Sequence, residues 1–290
     1  MSMRIIGSLL LTFSTMICFG QRVAKMRSES NKPFVLGVTN QVQSEELAET
    51  RVLNIYLPDG YNPKDSITYP VVYLLDGGAD EDFIHIVGLY QFNNFSWIDR
   101  VPKSIIVGIA NTDRKRDFTY PSSFAAEAKR YPTSGKSSKF MDFLENELQP
   151  YIQHQYKGNA RGTIIGESLG GLLATEILLK RPTLFDKYII ISPSLWWDDG
   201  SLLKLNSEVL SKDFTHKVDV YIGVGKEGVG LGEHPHVMEV DGNLLADKLQ
   251  HTASKTVSTY FDYLPQEDHA TISHQAVFNA LRVLYPKKQQ

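Results

Sequence analysis

In the stretch "TIIGESLGGLLATEILLKRP" a strand-favouring lead-in runs into Gly166, Glu167, Ser168, Leu169 and Gly170, and a helical run follows. Glycine is costly inside either kind of element, so two of them flanking one serine at Gly-x-Ser-x-Gly spacing mark a turn made in almost no space. A serine on such a strand-to-helix elbow stands exposed, where its hydroxyl can attack a carbonyl carbon. The same geometry aims the Leu169 amide outward at the helix N-terminus, where backbone N–H groups and the helix dipole stabilise negative charge. The chemistry implied is acyl transfer through a serine nucleophile.

A serine hydroxyl is weakly nucleophilic at neutral pH and needs a base to take its proton. Of the eight histidines, His269 is best placed, following the strand-like "VSTYFDYL" across the short loop "PQED". His274 falls in the first turn of the next helix and points elsewhere. The pair His234 and His236 lacks further ligands nearby and reads as a solvated loop rather than a metal site. An acid should orient the imidazole, and Glu227, just after "VDVYIGVGK", sits where the chain order serine, acid, histidine expects it. Asp262, Asp241 and the absence of any acid are the alternatives; Asp268 adjoins His269, and adjacent side chains seldom meet head-on. A second oxyanion donor is expected from Gly77 and Gly78 in "LLDGGAD", whose backbone carries no obstructing side chains.

These groups need a frame that brings them to one edge. From Val71 onward the chain shows short continuous apolar runs, "VVYLL", "SIIVGIA", "GTIIG", "YIIIS", "VDVYIGVG" and "VSTYFDYL", which suit strands buried on both faces of a parallel sheet. Helical patterns lie between them: 137–156, with Phe140, Leu144 and Leu148 in step and Pro150 as a kink; a helix through Leu172 and Leu178, stopped before Pro182; and a last one through Val277 and Leu284. Upstream, "PFVLGVTN" and "TRVLNIYL" predict an antiparallel pair separated by the polar "QVQSEELAE". The fold class is α/β, a mostly parallel central sheet with antiparallel N-terminal strands and helices on both faces. Functional groups of such a sheet gather at the carboxyl ends of its strands, and Asp76 to Gly78, Ser168, Ser192 to Ser194, Glu227 and His269 all fall there.

The chain has 290 residues, 42% hydrophobic and 22% charged, with a net charge of -3 and pI near 6.2. Nothing in this balance calls for nucleic acid or an anionic membrane as partner. Residues 1–20 read as a secretory signal peptide: Arg4, an apolar run from Ile5 to Phe19, then Gly20 before a polar segment. That run of about 15 residues is short of the ~20 that a spanning helix needs, and no later stretch is long enough either. A secreted or periplasmic protein is expected, with 21–33 a flexible lead-in and 34–286 a single domain. Cys18, the one cysteine, lies in the leader behind Thr15, Met16 and Ile17, a poor lipobox. The mature chain would therefore have no disulfide, thiol nucleophile or cysteine-held zinc.

Taken in order, "YPVVYLLDGG", "SIIVGIANTDRKRDFTYP", "FMDFLENELQPYI", "GESLGGLLATEILLKRP", "FDKYIIISPSLWW" and "DHATI" resemble the putative-esterase family of α/β-hydrolases, over about 50–285. That group includes siderophore esterases, esterase D and some feruloyl esterases. The resemblance implies a triad of Ser168, Glu227 and His269, and an oxyanion hole from Leu169 and the Gly77–Gly78 turn. It also places Tyr120, Trp196 and Trp197 near a small-molecule ester substrate. The acid is its weakest point, since siderophore esterases can rely on a serine–histidine pair. Arg114 and Arg116 either meet an anionic substrate or pair with acids on the surface. The reading is a carboxylester hydrolase working through an acyl-enzyme, without metal or organic cofactor, on a short-chain, siderophore, sugar or feruloyl ester. Its rivals are an acyltransferase with the same triad and an inactive binding protein on a hydrolase fold. Oligomeric state leaves no mark on the sequence.

Overall fold

The computed structural model describes residues 30–287 except Asp65 and Glu233. The expected leader 1–20 with Cys18, and residues 21–29 of the lead-in, lie outside the described residues. Among the described residues, 30–35 carry no helix or strand, and every helix and strand lies in the unit from Leu36 onward.

Eight strands form one sheet: β1 (Val38–Ser44), β2 (Glu49–Tyr56), β3 (Val71–Leu74), β4 (Ile105–Ile109), β5 (Thr163–Glu167), β6 (Lys187–Ile191), β7 (Val218–Gly225) and β8 (Val257–Leu264). Their order is β1-β2-β4-β3-β5-β6-β7-β8, with β1–β2 and β2–β4 antiparallel and every other pairing parallel. The central strands β3, β4 and β6 consist almost wholly of buried apolar residues, as a sheet covered on both faces requires. After β3 the chain pairs β4 on one side and then crosses to place β5 on the other. The crevice at the carboxyl ends of β3 and β5 is therefore the switch point where a ligand site is expected.

The first strand lies further along than "PFVLGVTN" predicts, running through Gln41, Val42 and Gln43. At this edge of the sheet most of its residues are polar and wholly or partly open to solvent, Thr39, Asn40, Gln41 and Gln43 among them, so the segment reads as connection rather than strand.

Helices α1 (Phe83–Asn94), α2 (Arg114–Phe118), α3 (Ala125–Arg130), α4 (Ser137–Phe143), α5 (Gln149–Tyr156), α6 (Leu169–Lys180), α7 (Ser201–Lys204), α8 (Met238–Gln250) and α9 (Ile272–Leu284) complete the unit. α1 and α9 cover one face through Ile86, Val87, Ala276 and Ala280; α4, α6 and α8 cover the other through Phe140, Leu173, Ile177 and Leu245. A π turn over Leu144–Leu148 joins α4 to α5 and takes the place of a kink at Pro150. The wider turn sets Pro150 at the start of a fresh helical segment, where its missing N–H costs least. α6 matters most for the site. Its Leu172, Leu173, Ile177 and Leu178 are fully buried, and each such side chain stabilises by about 1.5–3 kcal/mol. The four together, roughly 6–12 kcal/mol, exceed the ~1–3 kcal/mol of strain at Ser168, whose positive φ precedes the helix.

Candidate active site

Ser168 sits between β5 and α6 at φ 57° and ψ -117°, a backbone region that side chains rarely adopt. Its N–H donates to Ile191 O at 3.0 Å, and its own carbonyl accepts from Leu172 N at 2.9 Å and from Ser194 N at 3.0 Å. The strand and helix close on each other so tightly that a Cβ at Gly166 would lie 2.3 Å from Gly170 O. No residue but glycine fits at 166.

Ser168 Oγ lies 3.0 Å from His269 Nε2, and His269 Nδ1 lies 2.6 Å from Glu227 Oε2. A carboxylate only accepts, so the imidazole proton is on Nδ1 and Nε2 is left free to take the serine proton. The other Glu227 oxygen accepts from Ser192 Oγ and from Gly225 N at 3.1 Å. Glu239, at the start of α8, fixes the loop itself by accepting from the Glu227 N–H at 2.8 Å and the Gly228 N–H at 2.9 Å. Burial pushes the Glu227 carboxyl up, but hydrogen bonds from His269 and Ser192, and the charge of His269, outweigh it and hold the group below its usual range. The hydrogen bond to Glu227 raises His269 against the opposing effect of burial; the charges of Glu227 and Glu167 add to the rise and Arg114 subtracts. Both shifts favour an imidazolium–carboxylate pair, the state the base must reach when it takes a proton.

The other acids weighed from the sequence are engaged elsewhere. Asp262 accepts from Tyr221 Oη at 2.7 Å and Asn279 Nδ2 at 2.8 Å. Asp241 meets His236 at 2.9 Å, Asp268 accepts from the N–H groups of Ala270 and Thr271, and His234 meets Asp199 at 2.8 Å. His274 falls in α9 and stacks on His85.

Leu169 opens α6, so its N–H lies outside the helix's own ladder and at the positive end of the dipole. Gly77 and Gly78 differ from expectation. Gly78 N–H donates to Glu81 Oε2 at 2.8 Å and Gly77 N–H to Ile109 O at 3.0 Å, while Gly77 O accepts from Asn54 Nδ2 at 2.9 Å. Glu81, three residues on, reaches back to cap the turn, and neither glycine offers a free donor.

A pocket of about 290 Å³ opens on Ser168, walled by Leu169, Ser194, Trp196, Trp197, Tyr131 and Leu231, with Thr119, Arg114 and Lys115 at its margin. Both tryptophans thus line it. Tyr120 does not: its hydroxyl is 2.9 Å from Ser201 Oγ and 3.3 Å from Trp197 O, while its carbonyl accepts from Trp197 Nε1 at 2.9 Å. It braces the tryptophan wall from behind. Arg114 pairs with an acid, Asp76, at 2.6 and 2.8 Å, and donates to Glu167 O at 3.1 Å, while also lining the pocket. Arg116 is taken up by Glu49 and Asp117 instead. Lys115, Tyr131 and Leu231 carry no spacing signal that could have marked them. A larger cavity of about 780 Å³ borders β8 and α9, and its walls include none of Ser168, His269 or Glu227.

Serine, acid and histidine carried in that chain order on the loops after β5, β7 and β8 is the arrangement of an α/β-hydrolase, and the chain is a serine hydrolase of that fold. The profile described as "Putative esterase" matches residues 44–275, and the chain belongs to that family; it is a serine esterase. It is similar to the ferri-bacillibactin esterase BesA of Bacillus subtilis, with 28% identity over 260 residues, 82% of this chain and 86% of that protein. Among solved structures, an IroE-like serine hydrolase from Shewanella oneidensis matches with a TM-score of 0.75 and 33% identity, over 86% of this chain and 80% of its own. The BES protein from Bacillus cereus matches with a TM-score of 0.73 and 26% identity, over 89% and 98%. Among the described residues no helix is long and apolar enough to cross a membrane.

Proposed function

We propose that the chain is an exported esterase that hydrolyses esters of aromatic, negatively charged acyl groups, of the kind found in catecholate siderophores, through an acyl-enzyme on Ser168. The observation that carries the mechanism is the relay from Ser168 Oγ through His269 to Glu227, at 3.0 and 2.6 Å. Ser168 Oγ attacks the ester carbonyl as His269 Nε2 takes its proton, and Glu227 stabilises the imidazolium. The Leu169 N–H meets the oxyanion. The alcohol leaves with the proton held by His269, and a water activated by the same nitrogen then releases the acid and restores Ser168.

The substrate class is supported by the pocket. Trp196, Trp197 and Tyr131 offer flat apolar walls and Lys115 adds positive charge, while the charge of Arg114 is shared with Asp76. Its volume of about 290 Å³ lies at the lower end of the ~300–1,000 Å³ usual for small-molecule sites, which suits one acyl arm of a larger ester. The similarity to BesA, a ferri-bacillibactin esterase, points the same way. Export is supported by the signal-like order of residues 1–20; an N-terminus beginning near Gln21 in protein recovered outside the cytosol is the expected result.

The test of mechanism is hydrolysis of a short-chain p-nitrophenyl ester by the wild type and Ser168→Ala. A fall in kcat of roughly 10⁴-fold or more is expected, and an alanine variant that keeps full activity refutes the mechanism. Substrate class is read from kcat/KM on a catecholate siderophore against acetylated sugars and feruloyl esters, and preference for either of the latter overturns it.

A further inference from the structure

The relay does not end at the triad. Beyond Glu227 stands Ser192, whose hydroxyl donates to the carboxylate oxygen that His269 does not use. Beyond Ser168 stands Ser194, its Oγ 3.3 Å from the nucleophile's. Both serines are buried, at 0% and 2% exposure, Ser194 at the pocket wall, and each hydroxyl has its partner in the triad. Both come from one segment, Ser192, Pro193 and Ser194, just past β6. Its backbone is anchored at each end: Ser192 N–H donates to Gly223 O on β7 at 2.8 Å, and Ser194 N–H to Ser168 O at 3.0 Å. Ser192 has φ 41°, a strain of about 1–3 kcal/mol that persists only where the surroundings enforce it. Pro193 fixes its own φ. The segment reaches the elbow because residue 171 is glycine: a Cβ there would lie 2.7 Å from Ile191 O and 3.0 Å from Pro193 Cα.

Proton accounting settles which serine donates. His269 gives its Nδ1 proton to Glu227, so Nε2 accepts the single proton of Ser168. Toward Ser194, therefore, Ser168 Oγ can only accept, and Ser194 is the donor.

We infer that Ser192-Pro193-Ser194 is a brace spanning both ends of the triad, with Ser194 a further catalytic residue donating to Ser168 Oγ and Ser192 a positioning residue holding Glu227. This rests on the triad mechanism. The Ser194 hydrogen bond gains most when Ser168 Oγ carries charge. That occurs as its proton passes to His269 during attack, and again in deacylation, when the bond between Oγ and the acyl carbon breaks, the electron pair stays on Oγ and the His269 proton returns to it. Ser192 draws charge from Glu227. Without it the carboxylate is more basic, and His269 keeps its proton to higher pH. The other charged groups facing His269, Glu167 at the end of β5 and Arg114 on α2, are untouched by that change.

The test uses the full chain and the rate at which a fluorophosphonate labels Ser168. Ser194→Ala is expected to lower kcat and the labelling rate together, by roughly ten- to hundredfold, the worth of a hydrogen bond to a charged group, with KM little changed. Ser194→Cys, which keeps a weaker donor of similar size, should fall between, and it carries the comparison alone if the alanine variant does not fold. Ser192→Ala, or Ser192→Cys in its place, should move the acidic limb of kcat/KM to higher pH. His269→Ala separates the two levels: if it labels at the wild-type rate, the triad mechanism itself fails. If it does not label while Ser194→Ala and Ser194→Cys label like the wild type, the triad stands and the brace falls. An acidic limb that stays in place or moves to lower pH overturns the role of Ser192.

Discussion

Replacing Glu227 by glutamine tests the site more severely than removing the side chain. Two donors, Ser192 Oγ and the Gly225 N–H, face Glu227 Oε1, and the His269 Nδ1 proton faces Oε2. In Glu227→Gln only one of these positions can be an oxygen. Turning the amide nitrogen toward Ser192 and Gly225 would oppose it to a backbone N–H in a side chain that is 2% exposed, leaving a buried donor unpaired at a cost of about 1–3 kcal/mol. The oxygen should therefore stay with Ser192 and Gly225, and the NH₂ should face His269. His269 Nδ1 must then accept, which moves the proton to Nε2, against Ser168. The imidazole is held in the tautomer that cannot act as a base. At 1.4 kcal/mol per tenfold, that preference lowers the productive fraction by roughly 5- to 150-fold. Loss of the charged hydrogen bond, worth about 1.5–3 kcal/mol, removes a further ten- to hundredfold. A combined loss in kcat on the order of 10³-fold is expected, exceeding that of Glu227→Ala, where either tautomer is free to form. Steady-state hydrolysis of a p-nitrophenyl ester measures the rate, and ¹⁵N NMR of the imidazole reports the tautomer. A Glu227→Gln enzyme within tenfold of wild type, or more active than Glu227→Ala, refutes this reasoning.

Three further outcomes are expected. Because the bond to Glu227 raises His269 and only the neutral imidazole accepts a proton, activity should be lost as pH falls through a value above ~6.5, the ordinary histidine pKa; a pH–rate profile with its limb below that contradicts the pairing. Gly166→Ala, whose Cβ would lie 2.3 Å from Gly170 O, should lower stability by more than the ~1–3 kcal/mol typical of overpacking, because backbone must move; an unchanged urea midpoint speaks against the elbow geometry. Lys115→Ala should raise KM several-fold for an anionic aromatic ester and leave that for a neutral short-chain ester unchanged, and equal effects on both would remove Lys115 from recognition.

The parallel strands were legible because burial on both faces leaves unbroken apolar runs such as "YIIIS", and the elbow because its glycines are required by contact rather than by habit. Edge and cap features were not. β1 is mostly polar and wholly or partly open to solvent and so resembles a connection. Helix α1, "FIHIVGLYQFNN", carries apolar residues on more than one side, with Ile84 and Phe92 exposed beside buried Ile86 and Val87, so it shows little helical periodicity. The capture of Gly78 by Glu81, and the turning of Tyr120 behind the tryptophans, depend on which side chain reaches a given backbone group in three dimensions. Periodicity records burial, and burial alone does not say which polar atom a buried group meets. Ser194 falls between the two cases: its place after an apolar run put it at the functional edge, but nothing in the sequence shows its hydroxyl meeting Ser168.

The site draws its parts from two stretches of chain. Ser168, Ser194, Glu227 and His269 follow the consecutive strands β5 to β8, whereas Arg114, Lys115 and Tyr131 all come from the excursion between β4 and β5. Within that excursion Arg114 also donates to Glu167 O beside Ser168 and its charge opposes protonation of His269, and Tyr120 holds Trp197 from behind. Lys115 and Tyr131, which hold no hydrogen bond to Ser168, His269 or Glu227, are thus the positions where exchange should shift ester preference with least effect on the rate, whereas a graft of all of residues 111–136 would disturb the supports as well.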